Sequence, residues 1–263
     1  MHIDQANLHN LKSLWTKYGS QALNIKLETA ETNASDKYVN THWPHRCWSN
    51  SPLQSQDMAW LKELPETSIF PLLPMHSDEK SKVHASVELS LIQKELTNNN
   101  WHCMLEQTAM FLSLDNGFYA PLSERSEQHA GFTIKKVQTP QDITLWLDIV
   151  NQAFGYSIHR IVIEKLIYDQ DMQILMAYQD DQAIASAILY KTDDVIGIHQ
   201  VGVKKGFQGK GFARVFMNKI INASLLWQGK HIVLQASKAG KPLYESLGFT
   251  SQFLIKSYQK NVS

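Results

Sequence analysis

The stretch that decides the fold of this chain is Gln208-Gly209-Lys210-Gly211-Phe212-Ala213. It follows an apolar run typical of a strand and precedes an apolar periodicity typical of a helix. Its two glycines let the backbone turn tightly and bring main-chain N–H groups close to a ligand. The helix that begins near Gly211 points the positive end of its dipole the same way. The stretch therefore predicts a site for an anion such as a phosphate.

The charge distribution supports this interpretation. No Asp or Glu occurs between Val195 and Tyr244, although that segment holds eight of the 25 basic residues of the chain. These eight are Lys204, Lys205, Lys210, Arg214, Lys219, Lys230, Lys238 and Lys241. Because the net charge is zero, an acidic excess must lie elsewhere, and the molecule is polarised. A solvent-exposed basic face beside an ordinary glycine turn would give the same pattern. Further motifs are needed to distinguish such a face from a ligand site.

The composition limits the class of protein. A chain of 263 residues, of which 43% are hydrophobic, can form two moderate cores, and its length favours two domains. It contains no apolar run of about 18 residues and no signal-peptide pattern at its start, so we expect a cytoplasmic protein without membrane association. Zero net charge argues against a nucleic-acid partner. Cys47 and Cys103 are expected to be reduced thiols.

A polar stretch between Tyr119 and Gly131 reads as a linker. We place an N-terminal α/β domain at residues 1–126 and a second domain at residues 131–263. Periodicity and turn signals in the second domain predict the order β-α-α-β-β-β-α-β-α-β. Hairpins and crossover helices both occur in this order, so the sheet must mix parallel and antiparallel pairs. The predicted fold class is α/β with a mixed, α+β-type sheet.

The first domain gives weaker signals. Helices are predicted at Ile3 to Tyr18, Met58 to Leu64 and Val87 to Leu96, and a strand at Met104 to Leu114. The domain has no counterpart of the stretch from Gln208 to Ala213, which we call the glycine loop.

Two sequence motifs in the second domain are specific for one protein family when they occur together. Gln208, Gly211 and Ala213 match the signature Gln/Arg-x-x-Gly-x-Gly/Ala, and the downstream run Leu243-Tyr244-Glu245-Ser246-Leu247-Gly248-Phe249 matches Leu-Tyr-x-x-Leu-Gly-Phe. In both motifs, and in its order of elements, the segment 131–263 resembles the GNAT superfamily of acetyl-CoA-dependent N-acetyltransferases. The resemblance implies a central mixed sheet flanked by helices. Because the family has tandem members, a degenerate GNAT-like lobe is one interpretation of the first domain.

The resemblance implies that acetyl-CoA is the co-substrate and that no metal is needed. Backbone groups of Val201, Gly202 and Val203 would hydrogen-bond the pantetheine arm as an added strand would. Ser237 stands seven residues before the tyrosine of the second motif, where the family often has asparagine. Its hydroxyl would bind the arm more weakly or at shorter reach than an amide would.

The same resemblance implies a pyrophosphate site in the glycine loop. Main-chain amides from Gln208 to Ala213 would receive the pyrophosphate. Charge would be added by Lys204, Lys210 and Arg214. In this interpretation Phe212 packs inward as the first apolar residue of the helix. The loop residues assigned to cofactor binding are Gln208, Gly209, Lys210, Gly211, Phe212, Ala213 and Arg214.

Two residues are candidates for catalysis. The resemblance implies that Tyr244 lies near the sulfur and protonates or hydrogen-bonds the departing thiolate. His199 is the only titratable side chain on the central strand, and its place resembles that of the histidine base in arylalkylamine acetyltransferases. It lies four residues before Val203, which predicts the same face of the strand. His199 is equally consistent with a core histidine, and Tyr190 or an acid from the first domain are alternative bases.

Other ligand patterns fit less well. The glycine loop lacks the hydroxyl of a Walker loop and the third small residue of a dinucleotide fingerprint. His42, His45 and Cys47, with His102 and Cys103 elsewhere, have no common zinc-site spacing.

The segment from Trp43 to Trp48 has two interpretations. One is a packed loop whose arginine forms an ion pair. The other is that His45, Arg46 and Trp48 line an acceptor pocket, because ligand sites favour domain interfaces.

The sequence thus predicts an acyltransferase that moves the acetyl group of acetyl-CoA to an amine by direct attack in a ternary complex. The acceptor is a small-molecule amine or a peptide amine, and the oligomeric state stays open. The alternatives are a catalytically silent acyl-CoA-binding or regulatory module and a peptide-binding scaffold.

Overall fold

The computed structural model describes residues 2–23, 36–51, 53, 60–61, 64–74, 82–114 and 129–260. The predicted linker at 119–131 and the predicted helix at 58–64 fall mostly outside these ranges. In chain order the helices and strands are α1 (Ile3–Lys17), β1 (Gln21–Ala22), β2 (Lys37–Val39), β3 (Cys47–Ser49), β4 (Ile69–Leu72), α2 (Lys82–Asn98), β5 (Trp101–Ser113), β6 (Thr133–Lys136), α3 (Pro140–Phe154), α4 (Arg160–Leu166), β7 (Met172–Gln179), β8 (Gln182–Thr192), β9 (Val195–Val203), α5 (Phe212–Leu226), β10 (His231–Ser237), α6 (Lys241–Ser246) and β11 (Thr250–Lys260).

The order from β6 to β11 is the one that the sequence predicts, and the mixed α/β fold class is confirmed. Helix α3 illustrates why local signals succeed here. Thr139 and Asp142 form a reciprocal capping box, Pro140 occupies the first turn, and Gly155 ends the helix with φ of 77°. In the first half, α1, α2 and β5 confirm the predicted elements. Strands β1 to β4 were not predicted, because two to four residues are too few to show a period.

The described chain forms two compact units that interleave along the sequence. Unit 1 comprises Met1–Leu14 and Ala109–Gln252, and unit 2 comprises Trp15–Thr108 and Phe253–Ser263. The predicted domains at 1–126 and 131–263 are continuous stretches, whereas each unit combines two separate segments of the chain. Helix α1 and strands β5 and β11 each have residues in both units.

In unit 1 the strands lie in the order β5-β10-β9-β8-β7-β6. Strands β6, β7, β8 and β9 pair in antiparallel fashion, and β10 pairs with β9 in parallel. The parallel pair is joined by helix α5, which buries Phe216, Met217 and Ile220 against the sheet. The core of unit 1 thus fixes the end of β9 next to the start of α5.

Unit 2 contains the antiparallel sheet β1-β2-β3 and the strand order β4-β11-β5. Trp48 is 1% exposed and packs on Trp15 and Tyr38, so it is a core residue and does not line a pocket. Arg46 donates to Ser257 Oγ at 2.9 Å. Cys47 is a buried free thiol, and Cys103 is an exposed one.

Candidate functional site

A β-bulge interrupts the central strand β9. Ser186 of β8 pairs with Gly202, but Ile188, two residues on, pairs with His199, so β9 carries one extra residue between these pairs. The extra residue is accommodated at Gln200, whose φ is 52°. Ser186 donates its hydroxyl to the Gln200 carbonyl oxygen at 3.0 Å and stabilises the distortion. The bulge therefore changes the direction of β9 within the sheet.

The ladder between β9 and β10 covers only the first part of both strands. Its parallel pairs run from Val195–His231 to Gly197–Val233, and no pair follows in the described chain. Beyond Gly197, the edge of β9 that faces β10 lacks a partner strand. Val201, Gly202 and Val203 lie in this part, where an extended ligand could bind as an added strand.

The glycine loop follows β9 and presents a run of main-chain donors. Gly209 and Gly211 have φ of 75° and 83°, a left-handed conformation that favours glycine. Helix α5 begins at Phe212 without a side-chain cap, so the N–H groups of Phe212 and Ala213 remain available, whereas that of Arg214 donates to the Gly211 carbonyl oxygen. Among the described residues, the N–H groups from Gly209 to Ala213 have no backbone acceptor. The loop is exposed, and its donor set fits an anionic diphosphate group.

Gln208 forms hydrogen bonds that stabilise the glycine loop, so its backbone N–H is not available to a ligand. Its backbone N–H donates to the Lys205 carbonyl oxygen at 3.3 Å, and its side-chain Nε2 donates to the Val203 carbonyl oxygen at 2.8 Å. The run of available amides therefore begins at Gly209, one residue later than the sequence predicts. The Val203 carbonyl is likewise already engaged.

Six of the eight basic side chains of the segment fall into two groups. Lys204, Lys230 and Lys241 form ion pairs with Asp148, Asp194 and Glu245, so they do not add free charge. The hydrogen bond from Lys204 to Asp148, 2.8 Å long, lowers the pKa of that carboxyl group.

The second group keeps its charge next to the loop. Within the described ranges, Lys205, Lys210 and Arg214 form no ion pair. Lys210 lies over the Phe207 ring at 5.6 Å, and Arg214 donates to Ser246 Oγ at 2.8 Å. As predicted, Phe212 is buried, and it packs on the core of unit 1.

Tyr244 lies on α6, just beyond the end of β10. Its ring packs edge-on against Phe249, with centroids 5.7 Å apart. Burial raises the pKa of Tyr244 to about 12, so the hydroxyl keeps its proton at physiological pH. Ser237 is close by: a Cβ atom at Gly240 would lie 3.3 Å from both Ser237 Oγ and Tyr244 Cε2. Ser237 Oγ accepts from the Gly240 N–H at 3.1 Å and retains its own proton to donate.

His199 is buried in unit 1 next to helix α1. Its Nε2 lies 3.2 Å from Asn10 Oδ1, while Asn10 Nδ2 donates to the Tyr190 carbonyl oxygen at 3.0 Å and to Thr192 Oγ1 at 2.9 Å. Because Asn10 uses its amide nitrogen there, its oxygen must accept from His199, and the imidazole carries its proton on Nε2. Burial lowers the pKa of His199 from 6.5 to about 3. The ring is therefore neutral.

The expectation that His199 shares the face of Val203 is wrong. Val203 pairs with Ala185 and His199 pairs with Ile188. Because Ala185 and Ile188 are three residues apart in an extended strand, their side chains point to opposite faces. The bulge at Gln200 shifts the alternation of β9 by one residue, which a count along the sequence cannot detect.

Two aromatic side chains lie beside the bulge. Tyr156 donates its hydroxyl to Gln200 Oε1 at 2.7 Å, and its ring stacks on Phe154 with centroids 5.5 Å apart. A Cβ atom at Gly202 would lie 2.8 Å from both Ala153 Cβ and Phe154 Cε2, so a side chain at this point of β9 would force its neighbours to shift. Both aromatic rings are partly exposed.

Several residues that shape this region are not predicted from the sequence. Gln200 and Ser186 carry no motif, because a bulge has no sequence signature of its own. His129 falls in a polar stretch without periodicity. Asn7 and Asn10 do leave a signal: two amides one turn apart interrupt the apolar stripe of α1, and both are buried.

The described residues bring together no group of three or more metal-binding side chains, so the histidines and cysteines considered for zinc do not form a cluster there. None of the helices in the described ranges is long and apolar enough to cross a membrane.

Comparisons with known proteins identify the fold. The family model described as acetyltransferase (GNAT) domain matches residues 127–260, half of the chain. No curated protein matches the sequence.

Solved structures give the same result at low identity. A GCN5-related N-acetyltransferase from Kribbella flavida is 13% identical with a TM-score of 0.61, and the match covers 99% of this chain and 95% of that one. A conserved protein of unknown function from Staphylococcus epidermidis is 15% identical with a TM-score of 0.57, covering 88% and 94%. A GCN5-related N-acetyltransferase from Sphaerobacter thermophilus is 16% identical with a TM-score of 0.54, covering 73% of this chain and 59% of that one.

Proposed function

The chain belongs to the GNAT acetyltransferase family, and from this premise we propose that it transfers the acetyl group of acetyl-CoA to an amine. One observation supports the proposal above all: the unpaired edge of β9 lies next to the start of helix α5, which has no side-chain cap. The edge follows Gly197, and the free N–H groups begin at Gly209. A ligand with an extended polar arm and a diphosphate would satisfy both at once.

Acetyl-CoA would supply an activated acetyl group as a thioester. The residues proposed to hold it are Val201 and Gly202 on the strand edge and the loop from Gly209 to Ala213. Lys210 and Arg214 support the diphosphate with positive charge, since neither has an ion-pair partner among the described residues. Ser237 can donate its hydroxyl proton at the end of β10.

We assign proton donation to Tyr244. Its raised pKa keeps the hydroxyl protonated. A neutral phenol can donate to a departing thiolate, which is the role of a general acid in amide formation. Direct attack by the amine in a ternary complex needs no covalent enzyme intermediate.

His199 has a weaker case as the general base. An effective base has a pKa near the working pH, whereas burial lowers the pKa of His199 to about 3. Its Nε2 is engaged by Asn10 and carries a proton. We therefore propose that His199 is a neutral core residue, which was the alternative interpretation of the sequence.

The acceptor is proposed to be a small-molecule or peptide amine, with acceptor entry on the face that carries Phe154 and Tyr156. An amine-panel screen with detection of thiol release tests activity and acceptor together. Release of coenzyme A with one class of amine would support the proposal. Binding of coenzyme A without thiol release for any amine would favour the silent acyl-CoA-binding module.

Cofactor binding is tested separately by thermal unfolding with millimolar coenzyme A. The melting temperature of the wild-type chain should rise. In Gly211→Glu the rise should vanish, because the new carboxylate occupies the loop and repels phosphate. An unchanged melting temperature of the wild-type chain would refute the cofactor assignment.

A further inference from the structure

A half-buried histidine outside both family motifs touches the glycine loop. His129 Nε2 lies 3.0 Å from the Lys210 carbonyl oxygen. Because a carbonyl oxygen can only accept, Nε2 carries a proton and donates it. The same ring packs edge-on against Phe212, the first residue of α5, with centroids 5.1 Å apart and planes at 74°. His129 therefore contacts the loop by a hydrogen bond and by ring packing.

The hydrogen bond fixes the orientation of one peptide group. In a trans peptide the C=O and N–H bonds point in opposite directions. Since the Lys210 carbonyl is directed at His129, the N–H of Gly211 is directed away from the ring. That N–H has no backbone acceptor in the described chain. His129 thus holds a free donor in the middle of the proposed diphosphate site.

The loop has little else to hold this peptide in place. Gly209 and Gly211 flank Lys210, and a loop with two glycines loses much conformational entropy when it is ordered. A Cβ atom at Gly209 would have no neighbour within 4 Å, whereas one at Gly211 would lie 3.3 Å from His129 Cε1 and Nε2. The histidine ring is therefore the group that abuts the loop at this position.

We propose that His129 is a positioning residue for coenzyme A, which presets the Gly211 N–H toward the pyrophosphate without touching the ligand. The inference rests on the proposed function. Its physical basis is preorganisation: a donor that is already oriented does not have to be ordered when the ligand binds. Loss of the hydrogen bond should therefore weaken binding of the part of the ligand that carries the pyrophosphate.

The test distinguishes the effect of the hydrogen-bond donor of His129 from the effect of its ring packing. His129→Phe keeps an aromatic ring against Phe212 but removes the donor, and His129→Gln supplies an amide N–H at a similar distance from the backbone. Calorimetry on the full chain measures the Kd for coenzyme A and for pantetheine, which lacks the pyrophosphate. Because His129→Phe loses one hydrogen bond, its Kd for coenzyme A should rise about fivefold. His129→Gln should restore the affinity, and the Kd for pantetheine should stay unchanged in both variants.

Three results would overturn the assignment. The first is an unchanged Kd for coenzyme A in His129→Phe. The second is equal weakening for coenzyme A and pantetheine, which would indicate general damage to the fold. The third is failure of His129→Gln to restore affinity while its melting temperature is that of the wild type. If the wild-type chain itself does not bind coenzyme A, the proposed function fails, and the role of His129 fails with it.

Discussion

Asn10 Oδ1 accepts a hydrogen bond from His199 Nε2 at 3.2 Å, a contact that joins helix α1 to the central strand across 189 positions of sequence. A Cβ atom at Gly197 would overlap the Asn10 side chain, so the glycine makes room for the contact. Asn7, one turn earlier, accepts from Gln235 Nε2 at 2.7 Å. Buried amides thus attach the first helix to strands β9 and β10.

The first prediction concerns this attachment. Asn10→Ala removes the acceptor of the buried His199 N–H and a donor to the Tyr190 carbonyl oxygen, and an unsatisfied buried polar group costs about 2 kcal/mol. We expect a loss of free energy of unfolding of that size in urea denaturation. Asn151→Ala, at an exposed position of α3, is the matched control and should change stability by less than about 0.5 kcal/mol. Equal effects of the two substitutions would show that the network contributes nothing.

The second prediction is a pH dependence of stability. In the unfolded chain the pKa of His199 has its ordinary value of 6.5, whereas burial lowers it to about 3 in the folded chain. Between these values the unfolded state binds the additional proton, so acid favours unfolding. The free energy of unfolding should fall as pH drops below 6.5, by up to about 1.4 kcal/mol per pH unit from this residue. Above pH 6.5 the residue contributes no pH dependence.

His199→Gln provides the measurement. Glutamine keeps an N–H donor but does not titrate, so urea unfolding between pH 5 and pH 7 should show a flatter slope than the wild type. Asn151→Ala, at an exposed position of α3, changes no titratable group and should leave the slope as it is. Identical slopes for His199→Gln and wild type would contradict the neutral buried state of His199.

The third prediction distinguishes two glycines of the loop region. Gly211→Ala forces a side chain into a left-handed conformation and against His129, which costs about 1 kcal/mol in stability and disorders the donors at the helix start. We expect a lower melting temperature and a higher Kd for coenzyme A. Gly206→Ala has no neighbour within 4 Å and should match the wild type in both measurements. Tolerance of Gly211→Ala in both assays would remove the geometric argument for the loop.

The fourth prediction concerns catalysis. Tyr244→Phe removes the proposed proton donor and keeps the ring against Phe249, so turnover should fall about 100-fold with little change in the Kd for coenzyme A. Steady-state kinetics with the acceptor from the amine screen gives this ratio. Tyr168→Phe, at a site 82% exposed, is the control and should leave turnover unchanged. His199→Gln should keep turnover close to that of the wild type, whereas a loss comparable to that of Tyr244→Phe would restore His199 as the base.

Much of the fold follows from local sequence. The capping box at Thr139, the glycine loop before α5 and the apolar runs of β7 to β9 each act over fewer than about 15 residues, so their elements could be predicted one by one. The motif around Gly211 and the motif around Tyr244 then identified the family. The short strands of unit 2 gave no comparable signal.

The sequence by itself therefore determined the order of elements from β6 to β11, the family and the position of the glycine loop, because these depend on propensities and contacts between near neighbours. The tertiary structure decided the face of His199, the hydrogen bonds of Gln208, the contact of Asn10 with β9 and the contact of His129 with the glycine loop. A bulge inverts the alternation of a strand, and a hydrogen bond between residues far apart depends on how the chain returns on itself. Neither effect leaves a period or a motif in the sequence.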